Sequence, residues 1–201
     1  MDTSDSIPLE ETREALGELV KQGKVRQIGL SNETPWGTMK YLELAETKSL
    51  PRVASIQNAY NLVNRGFEIG LSEVAMHEQV GLLAYSPLAQ GTLTGKYLGG
   101  QMPQGSRLAL FGDGPLMMRY KGDKTQQAIE MYVNLAKKYE IDPAQLAIQF
   151  CNIQPFVTST IIGATTMEQL KTCIDSVDLD ITKEIINEIR SIHKEIPNPA
   201  P

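Results

Sequence analysis

Apolar residues recur along this chain in two alternating patterns. Spacings of three and four residues predict amphipathic helices, and short, nearly continuous apolar runs predict buried strands. The predicted helices cover residues 8–22, 35–48, 67–79, 124–139, 144–153, a segment that starts at 166, and 182–195. The predicted strands cover residues 24–30, 53–57, 82–85 and 159–162. Because strands alternate with helices, the pattern predicts a parallel sheet in an α/β fold.

Capping residues mark several of the predicted helix boundaries. Thr34 and Asp142 each precede a proline, an order typical of an N-cap followed by a first-turn proline. Thr166 and Gln169 have the spacing of a capping box. Gly23 follows the first periodic segment and predicts its end.

The sheet that these strands predict is incomplete. An open sheet of four parallel strands leaves two unpaired edges, which folded proteins avoid or cover. No low-complexity linker divides the chain, so we expect one domain that is half of a larger unit. Residues 98–122 are poorly patterned and rich in Gly, Met and Pro, which predicts a mobile lid with an apolar wall at Phe111, Met117 and Met118.

Composition and charge exclude several classes of function. The 201 residues are 41% hydrophobic and carry a net charge of −5, which argues against a nucleic-acid-binding protein. No apolar run approaches the roughly 20 residues of a membrane helix, so no membrane partner is expected. The polar first residues are unlike a secretory signal, which favours the cytoplasm and leaves open an organelle-targeting peptide upstream of this chain.

Cysteine and histidine usage predicts no metal site. Cys151 and Cys173 form no framework pattern and suit a reducing compartment. His77 and His193 stand far apart in polar helical contexts, where solvated helix residues are expected.

A strand that runs into a glycine-rich loop is the strongest candidate for chemistry. The strand ends at Tyr85, whose ring can stack on a flat heterocycle. The following loop offers backbone N–H groups, the hydroxyls of Ser86, Thr92 and Thr94, and the cation of Lys96, which together suit a pyrophosphate. A strand, a proline turn and a glycine-rich loop also occur in α/β proteins that bind no ligand there.

Four segments together resemble the second half of an aldo-keto reductase barrel. Residues 23–32, 56–58, 85–96 and 161–166 are similar to its fifth, sixth, seventh and eighth strands, in that order. Residues 31–34 and the C-terminal Pro-Ala-Pro are most similar to the Tas-like branch. The resemblance implies the C-terminal half of a (β/α)8 TIM barrel, strands 5–8 with their helices, with residues 1–201 as one partial domain that lacks the N-terminal half.

The resemblance also implies a nicotinamide cofactor, usually NADPH, and a role for each matching position. Ser31, Asn32 and Gln57 would hydrogen-bond the nicotinamide carboxamide, and Tyr85 would stack behind the ring. The other implied contacts are Ser86, Pro87, Leu88, Gly91 and Lys96 around the pyrophosphate, Arg107 over the adenosine side, and Gly163, Thr165 and Gln169 at the ribose 2′-phosphate.

Each position also fits a purely structural role. Ser31 and Asn32 can end a strand and cap a helix, and Gln57 can be a polar residue at a barrel mouth. Tyr85 can be ordinary packing, and Gln169 can serve only its helix cap.

The chain departs from the family pattern in two places. Thr172 and Cys173 stand where the family usually has Glu-Asn, and Gln169 stands where many members have a basic residue. Both changes weaken the implied contacts to adenine and to the 2′-phosphate.

Aldo-keto reductases reduce aldehydes or ketones by hydride transfer, with a tyrosine proton donor assisted by lysine, aspartate and histidine. The family carries these four residues on the first half of the barrel, so we expect no catalytic residue in this chain and no turnover by it alone. A small carbonyl substrate is expected only if the missing half is supplied. Two alternatives remain: a non-catalytic cofactor-binding or regulatory module that acts with a partner chain, and a homodimer formed through the bare sheet edges.

Overall fold

The computed structural model describes residues 7–112 and 114–201. The strands are Ile28–Ser31 (β1), Val53–Ala59 (β2), Gly81–Tyr85 (β3) and Val157–Thr160 (β4). The α-helices are Leu9–Lys21 (α1), Pro35–Thr47 (α2), Leu71–His77 (α3), Arg107–Phe111 (α4), Pro115–Met118 (α5), Asp123–Lys138 (α6), Pro143–Asn152 (α7), Met167–Asp175 (α8) and Lys183–Glu195 (α9). Short 3-10 helices cover Gly66–Glu68, Ala89–Thr94, Leu98–Gly100 and Ser176–Asp178.

The described strands form one parallel sheet in the order β1-β2-β3-β4, which confirms the predicted α/β fold. Ser31 at the end of β1 is paired with Gln57 in β2, and Ala59 at the end of β2 is paired with Tyr85 in β3. Because the strands are parallel, their carboxyl ends meet at one edge of the sheet. That edge carries the residues that the sequence singled out.

One face of the sheet is covered by helices, and the other face is open. Ile56, Leu82 and Ala84 are buried in a single core cluster with residues of α6 and α7. Gln57 is exposed, and Leu83 is half-buried on the opposite face. Within the described residues β1 and β4 each pair with one strand, so both are edge strands. The sheet therefore has the two bare edges that the sequence predicts.

Three predicted boundaries are wrong, each for a local reason. Residues 24–27 belong to no strand, because Lys24 and Val25 donate backbone hydrogen bonds to Leu19 O and complete the end of α1. The helix predicted over 67–79 is interrupted at Gly70, which has φ +89° and packs against Pro35. The last strand lies at Val157–Thr160, although Ile161 N still donates to Ala84 O at 2.8 Å.

The segment predicted as a lid is partly helical and is held at both ends. At its start Ser106 caps α4 through Ala109 N, and Leu108 N donates to the Tyr97 hydroxyl at 3.4 Å. At its end Met117 and Tyr120 are buried. Of the predicted apolar wall only Met117 is buried, since Phe111 and Met118 are 69% and 57% exposed. Asp113, inside the predicted lid, lies outside the described residues.

A mostly buried ion pair lies within the segment after β2, close to His193 of the C-terminal helix. Arg65 Nε and Nη2 donate to the two carboxylate oxygens of Glu68 at 2.7 and 2.8 Å, and the Tyr60 hydroxyl donates to Glu68 Oε1 at 2.6 Å. The guanidinium lies 5.2 Å from the centre of the Phe150 ring. His193 faces this pair from α9, and its Nδ1 is buried without a partner among the described residues. The expected solvated position is therefore wrong for His193, whereas His77 is exposed.

Acidification is expected to destabilise the fold through His193. Burial, and secondarily the Arg65 guanidinium, lowers the pKa of His193 below its ordinary value of 6.5, against the opposing effect of Glu68. The unfolded chain therefore binds a proton that the folded chain resists, so the free energy of unfolding should fall as pH drops below 6.5. Urea unfolding at about pH 7.5 and about pH 5.5 measures this loss.

Two substitutions test whether His193 causes the loss of stability at low pH. His193→Gln should flatten the dependence in this range, and His77→Gln at the exposed histidine should leave it unchanged. Glu68 contributes in a separate window below its ordinary pKa of 4.5, because hydrogen bonds from Arg65 and Tyr60 lower its pKa against its burial. A parent protein with the same unfolding free energy at both pH values would contradict the assignment.

Candidate functional site

The end of β1 forms a polar corner with the neighbouring strand. Asn32 adopts φ +53°, a left-handed conformation that asparagine tolerates better than most side chains. Its backbone N–H donates to Gln57 O at 3.0 Å, and its Nδ2 donates to Ser31 Oγ at 3.1 Å. The three predicted carboxamide contacts, Ser31, Asn32 and Gln57, therefore lie together, and all three are exposed.

Tyr85 joins this corner from β3. Its hydroxyl donates to Asn32 Oδ1 at 2.8 Å, across 53 residues of sequence. The side chain is half-buried, so part of the ring remains accessible. The tyrosine is thus fixed at one end by a hydrogen bond beside three uncharged polar side chains.

The loop after Tyr85 turns sharply through a run of left-handed residues. Ser86, Ala89, Gln90 and Gly91 have φ values of +54°, +48°, +60° and +90°. Ser86 O accepts from Ala89 N at 2.9 Å, and Ser86 Oγ accepts from Gln90 Nε2 at 3.0 Å. Non-glycine residues in this conformation each cost about 1 kcal/mol or more, so the surrounding bonds must hold the turn.

Lys96 lies over the same turn. A Cβ placed on Gly91 would be 3.0 Å from both Cε and Nζ of the lysine, so a side chain at position 91 would displace the ammonium group. Lys96 Nζ also lies 5.2 Å from the centre of the Tyr97 ring. A fixed cation beside a tight backbone turn suits a phosphate group. Leu88 is half-buried in this loop, and Pro87 is buried within it.

The remaining predicted contacts lie on α4 and on the segment after β4. Arg107 is exposed at the first position of α4. Gly163 is exposed in the segment between β4 and α8, with no atom within 4 Å of a Cβ built on it. No hydrogen bond described for Arg107 or Gly163 joins either of them to the corner at Asn32.

The predicted capping box of α8 is present with one difference. Thr166 Oγ1 accepts from Gln169 N at 3.2 Å, as predicted. The Gln169 side chain does not return to Thr166, because its Oε1 accepts from both N and Oγ1 of Thr165, at 3.0 and 3.1 Å. Two predicted 2′-phosphate contacts, Thr165 and Gln169, are therefore bonded to each other. Cys173, one of the two departures from the family pattern, is buried.

Sequence reasoning missed two buried polar residues beneath the turn. Asn61 is fully buried, and its Nδ2 donates to Ser86 O at 3.0 Å. Tyr120 is 2% exposed, and burial raises its pKa against the lowering effects of Arg119 and Asn61. Asn58, Asn61 and Asn64 recur at intervals of three from the end of β2 onward, a spacing that could have signalled a turn closed by side chains.

One cavity lies beneath the lid, and another lies at the opposite end of the sheet from the corner. A cavity of about 300 Å³ lies beneath the lid, and its lining includes Tyr97, Leu108, Met117 and Tyr120. A larger one, about 420 Å³, is lined by residues 25–27, which precede β1 and so lie at the opposite end of the sheet from the corner. Across residues 7–112 and 114–201 no group of three or more His, Cys, Asp or Glu could hold a metal ion. None of the described helices is both long and apolar enough to cross a membrane.

Comparisons with known proteins show the family of the chain. Residues 2–194 match the model of the aldo/keto reductase family. The chain is 49% identical over 200 residues to Protein tas of Escherichia coli (strain K12), covering 100% of this chain and 57% of that protein. It is 40% identical over 196 residues to an aldo-keto reductase of Babesia bovis, covering 94% of this chain and 68% of that one.

A third relative is a probable channel subunit. The chain is 30% identical over 195 residues to a probable voltage-gated potassium channel subunit beta of Oryza sativa subsp. japonica, covering 96% of this chain and 60% of that protein. The chain thus spans little more than half the length of Protein tas.

The family model covers nearly all of the chain, and the described strands are parallel and in sequence order. The chain therefore belongs to the aldo/keto reductase family, on its Tas-like branch, and forms the C-terminal half of a (β/α)8 barrel.

Proposed function

We propose that this chain binds NADPH at the carboxyl edge of its sheet and supplies the cofactor-binding half of an aldehyde or ketone reductase. The observation that carries the proposal is the corner formed by Ser31, Asn32, Gln57 and Tyr85, directly beside the turn that holds Lys96. Family membership supports the carbonyl-reducing chemistry.

The nicotinamide end would be held by the uncharged corner. A carboxamide has one acceptor oxygen and two donor hydrogens, and Ser31, Asn32 and Gln57 offer matching groups. Their present bonds to each other and to Tyr85 are exposed or half-buried, so a bound carboxamide can replace them at little cost. Tyr85 would support one face of the ring, which leaves the other face open toward a substrate.

The pyrophosphate would lie over the turn that begins at Ser86. Lys96 would supply a positive charge beside the turn, which contains the left-handed residues Ser86, Ala89, Gln90 and Gly91. Leu88 and Pro87 shape this loop. An anion bound there would gain both charge and hydrogen bonds.

The adenosine end would be held more weakly. Arg107 would approach from the lid, and Gly163, Thr165 and Gln169 would line the start of α8. Because Gln169 Oε1 already accepts from Thr165, the helix start offers a neutral amide where a cation would favour a 2′-phosphate. We therefore propose that the preference for NADPH over NADH is modest.

When bound, the cofactor would supply the hydride for carbonyl reduction. The residues of this chain would hold it, orient one ring face and exclude water behind Tyr85. Proton donation is assigned to the other half of the barrel, since Tyr120, beneath the Ser86 turn, is buried with a raised pKa, and an effective donor near neutral pH needs a lowered one. We therefore propose that the chain does not turn over a carbonyl by itself.

A non-catalytic role with a partner is the second candidate, and the open sheet supports it. The described edge strands β1 and β4 each lack one neighbour, and the face that carries Gln57 and Leu83 is incompletely covered. A complementary half-barrel, or a second copy of this chain, would pair both edges and cover that face. Titration of the purified chain with NADPH, followed by nicotinamide fluorescence, tests the cofactor site that both candidates share.

A further inference from the structure

The loop after β2 is closed by one buried side chain. Asn61 lies two residues beyond the strand and is 0% exposed. Its Oδ1 accepts from Val63 N at 3.0 Å and from Asn64 N at 2.9 Å. The backbones of Asn61 and Asn64 also exchange hydrogen bonds, at 3.0 and 3.1 Å. Residues 61–64 therefore form a tight turn whose buried N–H groups are satisfied by the asparagine.

The other end of the same amide reaches the cofactor turn. Asn61 Nδ2 donates to Ser86 O at 3.0 Å. The amide therefore bonds on both sides, with its oxygen accepting two backbone N–H groups and its nitrogen donating to a carbonyl. One side chain thus ties the end of β2 to the start of the turn after β3.

The backbone conformation of Ser86 needs a hydrogen bond of this kind to hold it. Its φ of +54° is unfavourable for a serine, and its carbonyl sets the direction of the peptide units that follow. Ala89 N also donates to this carbonyl, so the bond from Asn61 fixes the point on which the turn closes. The turn that begins at Ser86 includes Gly91 and lies against Lys96.

We propose that Asn61 is a positioning residue for nicotinamide-cofactor binding, because it holds the Ser86 turn in its binding conformation. The proposal rests on the proposed function for the identity of the ligand, and on the hydrogen bonds alone for the coupling of the two loops. Asn61 itself is buried and would not touch the cofactor.

A matched pair of substitutions separates this role from the folding of the 61–64 turn. Asn61→Asp keeps the oxygen that accepts from Val63 N and Asn64 N, but it replaces the donor facing Ser86 O with a second oxygen. Asn64→Asp places the same new carboxyl in the same loop, where the Asn64 Oδ1 that accepts from Gly66 N at 3.3 Å is retained. Asn61→Ser, which adds no charge, serves as a second test variant.

Two measurements on the full-length chain decide the proposal. With NADPH as the probe, Asn61→Asp should bind at least about tenfold more weakly than the parent, and Asn64→Asp should stay within about threefold. Hydrogen exchange of the peptide that spans residues 85–95 should accelerate in Asn61→Asp and Asn61→Ser, beyond any change in a reference peptide from α8. A merely structural role would accelerate both peptides together.

The outcomes distinguish the two proposals. If the parent binds NADPH and the Asn61 variants bind it equally well, the positioning role is overturned. If the parent does not bind NADPH, the proposed function fails, and hydrogen exchange still decides whether Asn61 holds the turn. Unchanged exchange over residues 85–95 in both Asn61 variants overturns the coupling.

Discussion

Tyr85→Ala is expected to weaken NADPH binding by about tenfold to a hundredfold, because stacking of a heterocycle on an aromatic side chain contributes about 1–3 kcal/mol. The structure supports this magnitude, since the half-buried ring lies beside Asn32 at the sheet edge and remains partly accessible. Fluorescence titration of the nicotinamide measures the change in dissociation constant.

Tyr85→Phe is the matched control. It keeps the ring and removes only the exposed hydrogen bond to Asn32, so its affinity should stay within about threefold of the parent. If Tyr85→Ala and Tyr85→Phe bind NADPH equally, the ring contributes nothing to the site and Tyr85 is ordinary packing. Circular dichroism of each variant shows whether the fold is retained.

Glu68→Gln is expected to produce the largest loss of stability, about 2–4 kcal/mol in the free energy of unfolding, because it leaves a mostly buried guanidinium without its charge partner. The side chains of Arg65 and Glu68 are only 12% and 27% exposed. Arg65 Nη1 is already buried without a partner among the described residues, so the guanidinium has little left to compensate the loss. Urea unfolding at neutral pH measures the effect.

The loss of the Arg65–Glu68 pair should also affect the C-terminal end of the chain. Arg65 N donates to Asn198 Oδ1 at 2.7 Å, and Ala200 N donates to Val63 O at 3.1 Å, so the ion pair sits where the C-terminal segment docks. Glu73→Gln, an exposed carboxylate on α3, is the control and should change the unfolding free energy by less than about 0.5 kcal/mol. Equal losses in the two variants would show that the Arg65–Glu68 pair is not a stabilising element.

Local signals in the sequence predicted much of the fold. Thr34, Asp142 and Thr166 cap α2, α7 and α8 as predicted, because each side-chain oxygen accepts from a backbone N–H that the first turn of a helix leaves free. The alternation of strands and helices correctly predicted a parallel sheet. The motifs at the strand ends predicted that Asn32, Gln57 and Tyr85 would lie together, which the sheet register brings about.

Features that depend on distant contacts were not predictable. The sequence of residues 24–27 predicts a strand. In the structure the backbone N–H groups of Lys24 and Val25 complete the end of α1, and strand pairing starts only at Ile28. His193 reads as solvated until α9 packs against Arg65 and Glu68. Asn61 carries no local sign that its amide reaches Ser86, 25 residues later.

The assignments of residues to parts of the cofactor are predictions from the sequence and the family. The sequence and the structure agree on which residues share the sheet edge, but contact with a ligand depends on groups outside the chain. Gln169 illustrates this, because the capping bond from Thr165 and a role at the 2′-phosphate use the same side-chain oxygen.

The most direct test of the cofactor site is a titration of the purified chain with NADPH, with its mass in solution measured on the same sample. We expect dissociation in the micromolar range from a compact monomer or dimer, and no NADPH consumption with a general carbonyl such as 4-nitrobenzaldehyde. Absence of NADPH binding by a folded, compact chain would contradict the proposed cofactor site. Turnover of the aldehyde by the chain alone would contradict the assignment of proton donation to the other half of the barrel.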